Sequence, residues 1–309
     1  MRPAFLDVLR CPACAAELDA RAGAGGECSS LECASEHRFP VVDGVPRFLD
    51  SESYAGNFGY EWNVHDRTQL DDQSSDESER TFRRKTGFGP DDVAGKLVLD
   101  AGCGMGRFSD VASRWGATVV GVDLSRAVEA AQRNLGDRPN VHVAQADILR
   151  LPFADETFDL VFSIGVLHHT PDTRAAFDRL PRLVKPGGRI AVWLYPGYAA
   201  FMWKMSDVLR RWTWRMPPRL LHAMAHVAVP KYYVDRLPAV GMASRFLLPV
   251  SGHPRAEWRV LDTFDWYSPR YQWKHTYEEV FRWFEAQGLV DIRVLDFPVA
   301  LQGTRPARP

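Results

Sequence analysis

Residues 97–107 read LVLDAGCGMGR, an apolar run closed by an acid and followed by glycines at alternate positions, Gly102, Gly104 and Gly106. The pattern calls for a buried strand that breaks into a turn with little room for side chains and then opens a helix. Nothing else in the chain constrains the fold as strongly, because such a turn lays a nucleoside-bearing ligand across the edge of a parallel sheet. The spacing departs from the dinucleotide pattern G-x-G-x-x-G, and no Gly-Lys-Ser/Thr follows to make a phosphate loop. Asp100 at the strand end would repel phosphates and suits an ammonium-bearing ligand. The glycine triplet alone is also compatible with a tight turn that holds no ligand.

Four further apolar runs follow. Residues 118–122 (TVVGV) end in Asp123, whose carboxylate at a strand tip is placed to accept a ribose diol. Residues 141–144 precede Asp147 and Ile148, residues 158–165 precede a His168-His169 pair, and residues 189–194 follow a Lys-Pro-Gly-Gly turn at 185–188. Strands separated by helix-length segments predict a Rossmann-like, doubly wound, mostly parallel α/β sheet with its ligand at the carboxyl ends. A helix at 276–288, with Val280, Phe281, Trp283 and Phe284 on its inner side, and an antiparallel pair at 289–297 and 299–302 complete a seven-stranded sheet.

The segments LDAGCGMGRF, VVGVDLS, QADILRLPFADETFD, SIGVLHHTPD and LVKPGGRI resemble class I S-adenosylmethionine-dependent methyltransferases of the type 11 group, over about a third of the chain. The resemblance implies the following roles. Ala101, Gly102, Gly104 and Gly106 lie against the methionine and ribose part of the cofactor, with Asp100 near its ammonium group. Asp123 takes the ribose hydroxyls, beside Leu124 at the adenine. Asp147 meets the adenine amino group, Ile148 stacks on the ring, and Ser163 and Gly165 line the floor below the sulfonium. A sulfonium methyl is already activated, so the transfer is an in-line displacement. It needs an aligned nucleophile, removal of its proton and exclusion of water.

Before this block, Cys11-x-x-Cys14 and Cys33-x-x-x-His37 have the spacing of a tetrahedral metal site. With FPVVDGVPRFL at 39–49, they resemble the zinc-ribbon-like module at the start of rRNA guanine-N1 methyltransferases. Cys11, Cys14, Cys33 and His37 are the expected zinc ligands, with Cys28 as the substitute for Cys33. The ion would be structural, since a module of about 50 residues has little core of its own.

The expected organisation is a zinc-ribbon-like module at 1–50, a connector with cofactor-capping helices at 51–95 and a methyltransferase core at 96–196. A helical aromatic insertion at 197–275 and the closing helix and hairpin at 276–309 follow. The insertion carries Phe201, Trp203, Trp212, Trp214, Tyr232, Tyr233 and Trp258 among many aromatic residues. It is read as a lid over the acceptor, with a dimer interface or a peripheral membrane contact as alternatives. Tyr60, Trp62 and Arg83 in the connector, and Tyr271 and Trp273 at the end of the insertion, are the substrate-facing candidates. His168, His169 and His275 are the candidate bases, with Tyr271 a further one.

The chain has 309 residues and a net charge of −1, which gives no global field for nucleic acid. No apolar run reaches the ~18 residues of a membrane span, and neither a secretory leader nor a disulfide framework is evident, so a cytoplasmic enzyme is expected. Residues 163–166 (SIGV) replace the Asn/Asp-Pro-Pro-Tyr/Phe segment that cradles planar amino nitrogens. Oxygen or carbon acceptors on a small-molecule, lipid-linked or sugar-linked metabolite are favoured, with amines left open. The alternatives are an RNA base methyltransferase and a subunit that docks to a larger assembly through its zinc module.

Overall fold

The computed structural model describes residues 3–23, 26–49, 54–72, 75–198, 200–238 and 240–308. Residues 51–53 of the connector and the side chains of Phe201 and Trp203 lie outside the described set. The amino-terminal region holds a short helix α1 (Pro3–Leu6) and four antiparallel strands in sequential order: β1 (Leu18–Ala22), β2 (Cys28–Cys33), β3 (Arg38–Val42) and β4 (Val45–Pro46). Helices α2 (Gly56–Val64), α3 (Glu77–Thr86) and α4 (Pro90–Val93) lead to the first strand of the large sheet.

That sheet alternates strands and helices as its sequence pattern requires. Strand β5 (Leu97–Ala101) leads to α5 (Arg107–Arg114), β6 (Thr118–Asp123) to α6 (Ala127–Leu135), then β7 (Val141–Gln145) and β8 (Phe158–Ile164). Helix α7 (Thr173–Arg179) precedes β9 (Val184–Trp193). Five helices follow: α8 (Ala200–Thr213), α9 (Pro218–Ala225), α10 (Ala228–Val234), α11 (Val240–Leu247) and α12 (Ala256–Tyr267). Helix α13 (Tyr277–Ala286) and the antiparallel pair β10 (Val290–Val294) and β11 (Ala300–Thr304) close the fold. The strand order is β10-β11-β9-β8-β5-β6-β7, with β5 through β9 parallel and β11 antiparallel to β9. The order reverses direction at β5, which places a ligand crevice beyond its carboxyl end.

Two local readings are adjusted. Residues 185–188 do not end before the strand but lie inside β9, where the register with β8 jumps from Phe158↔Val184 to Leu160↔Arg189. The turn chemistry is spent on a bulge, with Gly187 at φ +79. The closing strands also differ by one to three residues at their ends from the apolar pattern, and β11 pairs along β9 as far as Thr304↔Arg189. Helix α13 starts where Thr276 accepts the Glu279 N–H, and it buries Val280, Trp283 and Phe284.

The amino-terminal region does not stand apart. Phe5, Leu9 and Leu31 are buried in the same apolar cluster as Ala146 and Phe153 of the large domain, each contributing about 1.5–3 kcal/mol. Residues 47 and 48 pair with Gln145, covering the free edge of β7. At the other end, α8, α9 and α10 pack on α12, which itself packs on α2. Among the described residues no helix is long and apolar enough to cross a membrane.

Candidate active site at the carboxyl edge of the sheet

A cavity of about 250 Å³ opens where β5, β6 and β8 end. One end is built from the glycine turn. Gly102 has φ +94, and a Cβ there would lie 2.3 Å from Val166. Gly104, at φ +52, packs against the Trp62 indole, which leaves a bare backbone floor. Asp123 reaches into this end. Its carboxylate accepts the Gly104 N–H at 3.0 Å and the Ser125 N–H and hydroxyl at 2.8 and 2.7 Å. Burial still raises its pKa against those three donors. Leu124, Ile148 and Gly165 also line the cavity.

Several expected cofactor residues sit behind this surface rather than on it. Asp100 accepts the Ser109 hydroxyl at 2.7 Å and ties β5 to α5, and burial pushes its carboxyl up to about 7. Ser163 donates to the Ala101 carbonyl at 2.8 Å and joins β5 to β8 beneath the floor. Gly106 is required by packing: its φ is +93, and a Cβ would meet Leu135 at 2.7 Å. Asp147 is used as a cap, accepting the Leu149 N–H at 2.9 Å.

The other end is assembled from residues distant in sequence. His169 lines it, and its Nδ1 lies 2.9 Å from the Tyr271 carbonyl, so Nδ1 carries the proton and Nε2 keeps the lone pair. Burial lowers this imidazole to about 4, so it is neutral at pH 7. Opposite stands Tyr195, whose hydroxyl donates to Asp265 at 2.7 Å. Burial raises the Asp265 carboxyl to about 6, and the same effect raises Asp262, which accepts from Ser251, to about 6. Glu61 lies fully buried behind them with no partner for either oxygen, and burial reinforced by Asp265 and Asp262 raises its pKa strongly. Lys85 lines the same end. Its Nζ lies 3.2 Å from the centroid of the Trp193 ring, no carboxylate or hydrogen-bond acceptor among the described residues meets it, and burial lowers its pKa strongly.

Four candidates are placed elsewhere. His168 is fully buried, stacks on Tyr195 at 4.0 Å and has no partner at Nε2, so it supports the wall instead of facing the cavity. His275 is held between Glu279 and Thr173 behind α13. Arg83 points outward, over Trp115 and paired with Glu79, because Lys85 and not Arg83 shares the inner face with Phe82. Tyr60 packs against Phe264 and His222. Tyr271 and Trp273 line a second, shallower cavity with Arg210 and Asp207. They reach the first one indirectly: Tyr271 through its carbonyl on His169, Trp273 through its indole N–H on Thr170.

Sequence reasoning missed Lys85, Tyr195, Asp262 and Asp265. The signal for the two aspartates was present. Helix α12 (AEWRVLDTFDWY) sets two acids three residues apart within a stripe of Leu261, Phe264 and Tyr267, an arrangement a solvated helix face would not use.

In the amino-terminal sheet Cys11, Cys14, Cys33 and His37 converge, with every ligand atom within 4.8 Å of the others. The Sγ atoms of Cys11 and Cys33 lie 3.5 and 3.4 Å from His37 Nδ1, and Cys14 Sγ lies 3.6 Å from Cys33 Sγ. A tetrahedral zinc with its usual bond lengths spaces its ligands about 3.5–3.8 Å apart. The Cys14 thiol is drawn down to about 6, chiefly by the Ala16 N–H. Cys28, the substitute considered for Cys33, turns away to the Ser30 carbonyl.

With this geometry in place, comparison with known proteins is informative. Residues 99–192 match the family described as "Methyltransferase domain". Methyltransferase GfsG of Streptomyces halstedii is 38% identical over 104 residues, which cover 32% of this chain and 37% of that protein. Demethylmenaquinone methyltransferase of Thermobifida fusca is 38% identical over 117 residues, covering 37% and 50%. Phosphoethanolamine N-methyltransferase 2 of Caenorhabditis elegans is 33% identical over 154 residues, covering 48% and 34%. The chain thus spans about a third to a half of the length of these relatives. The sheet, the glycine turn and the match together make residues 99–192 a class I S-adenosylmethionine-dependent methyltransferase domain.

Proposed function

We propose that the chain transfers a methyl group from S-adenosylmethionine to an oxygen or carbon nucleophile on a small, lipid-linked or sugar-linked metabolite. One observation carries this reading. A single cavity has the bare glycine turn and Asp123 at one end and the Tyr195–Asp265 pair at the other. The residues suit the cofactor. Asp123 is a half-buried carboxylate whose Oδ2, accepting only the Gly104 N–H, keeps a lone pair for a ribose hydroxyl, and Gly102 and Gly104 leave a cradle that side chains would fill. Lys85 is a buried amine that meets no anion among the described residues; burial lowers its pKa strongly, and the carboxylate of an amino-acid moiety would favour its charged form. The cofactor, when bound, supplies an electrophilic methyl on a sulfonium.

The residues of the chain do the rest. Trp62, Phe58, Ile164 and Trp193 keep water from the cavity. The acceptor proton passes to the Tyr195 oxygen as the phenol proton moves onto Asp265, or onto His169 Nε2. Relatives named for demethylmenaquinone, for phosphoethanolamine and for ubiquinone biosynthesis support a small acceptor. A metabolite extract incubated with the enzyme and methyl-labelled S-adenosylmethionine tests this directly. Label in a small product is expected, whereas label in RNA alone would overturn the acceptor class.

We infer that Cys11, Cys14, Cys33 and His37 hold one zinc ion in a closed, structural site, supported by the spacing of their ligand atoms. About one zinc per chain is expected by elemental analysis of freshly purified protein. Metal-free protein with unchanged thermal stability would contradict it.

A further inference from the structure

Helices α8 to α11 form the layer outside α12 and present large apolar side chains to solvent. Val208 and Trp212 on α8, and Leu220 and Met224 on α9, recur at a spacing of four residues, and Trp212 is 73% exposed. On α11, Met242 is 75% exposed and Leu247 62%. The charges on the same layer have one sign. Its two acids are occupied inside it, Asp207 by Arg210 and Lys274, and Asp235 by Lys231. The arginines left on its surface include Arg211, Arg215, Arg219, Arg236 and Arg245. On a chain whose net charge is −1, these arginines stand in a layer whose two acids are both taken up by other bases, unlike Arg80 and Arg83 of α3, which pair with Asp76 and Glu79.

From this the geometry points to an anionic lipid bilayer as the partner of the α8–α11 layer, on which the protein rests without crossing it. Helices with apolar side chains interleaved with basic ones lie in the headgroup region, where the apolar groups enter the acyl boundary and the arginines meet lipid phosphates. A second copy of the chain fits less well, since two such faces would bring like charges together. A nucleic acid would use the arginines and leave Met242, Leu247 and Leu220 in water. The placement has a functional consequence that rests on the proposed activity. Helix α12 contributes Leu261, Asp262 and Asp265 to the cavity wall, and α8, α9 and α10 pack on α12, so the layer on the bilayer backs the wall of the acceptor end.

Co-sedimentation of the full chain with vesicles tests the proposal, using phosphatidylcholine alone and phosphatidylcholine with one third phosphatidylglycerol. Binding to the anionic vesicles should exceed binding to the neutral ones by at least tenfold and fall as salt is raised, since each arginine near such a surface is worth about fivefold. The pair Arg219→Glu with Arg245→Glu should weaken it about twenty-fivefold or more, and the pair Trp212→Ser with Met242→Ser about tenfold. Equal binding to both vesicle types, no binding to either, or anionic binding that survives both pairs overturns the proposal. A dimer in solution or an RNA gel shift, either abolished by these pairs without vesicle binding, overturns it in favour of that partner. Unchanged affinity for S-adenosylhomocysteine in each variant shows an intact fold. Failure of the wild type to bind S-adenosylhomocysteine would refute the cofactor reading while leaving the lipid result standing.

Discussion

The two ends of the cavity are built in opposite ways. The cofactor end is made of backbone and strand tips: Gly102, Gly104 and Asp123 lie within about twenty residues of one another, and the sheet fixes their relative positions. The acceptor end takes Lys85 from α3, His169 from the turn after β8, Tyr195 after β9 and Asp265 from α12. Its ionisable groups are buried and incompletely matched: among the described residues Glu61 has no hydrogen-bond partner, Lys85 meets only aromatic faces, and burial pushes both toward their neutral forms. The first end leaves no room for a Cβ at Gly102. The second holds ionisable groups away from their ordinary pKa values, as sites of proton transfer do.

The contrast can be broken in several places. Gly102→Ala should have the largest effect, because the new Cβ collides with Val166 in a backbone conformation that side chains avoid. A loss of several kcal/mol, about 3 or more, is expected in chemical denaturation. Lys85→Met should weaken S-adenosylhomocysteine binding about tenfold by calorimetry, through loss of one charge-assisted contact, while leaving stability equal or higher because a buried amine with no polar partner among the described residues gives way to an apolar side chain.

Asp265→Asn probes the acceptor end through pH. The folded-state pKa of Asp265 is raised to about 6, so the folded protein holds a proton that the unfolded chain releases earlier. Stability from this group is therefore present below the unfolded carboxylate value, about 4, and is lost as pH rises through about 6. Relative to wild type, Asp265→Asn should gain about 1 kcal/mol or more on going from pH 4 to pH 8, read as the difference between the two denaturation curves. The smallest effect is expected of Arg83→Ala. An exposed ion pair and a cation–π contact together contribute about 1 kcal/mol at most, with no change in cofactor affinity.

How much of this was legible in the sequence follows the same division. The strands, their parallel order and the ends bearing Asp100, Asp123 and Asp147 were readable because period, glycine spacing and acid placement are local signals. The finer assignments were not. Asp100, Ser163 and Gly106 belong to the motif, yet they brace the turn from behind, a distinction that depends on which neighbour each one meets. At the acceptor end, choosing Arg83 over Lys85 required knowing which face of α3 turns inward, and Phe82 with Thr86 gave that signal. Tyr195 and Asp265 are seventy residues apart, and nothing short of the packing of α12 brings them to 2.7 Å. In the amino-terminal region, spacing alone identified Cys11, Cys14, Cys33 and His37. The burial of Phe5 and Leu9 in the large domain's core was not visible, because their partners lie beyond residue 140.

Calorimetric titration of S-adenosylhomocysteine into the wild type and Asp123→Ala bears most directly on the central claim, that the glycine turn and the β6 tip hold the nucleoside of this cofactor. The account predicts binding to the wild type and a loss of about tenfold to a hundredfold in the variant, the worth of hydrogen bonds to a charged group. Equal affinity in both proteins, or no binding to a folded wild type, would contradict it.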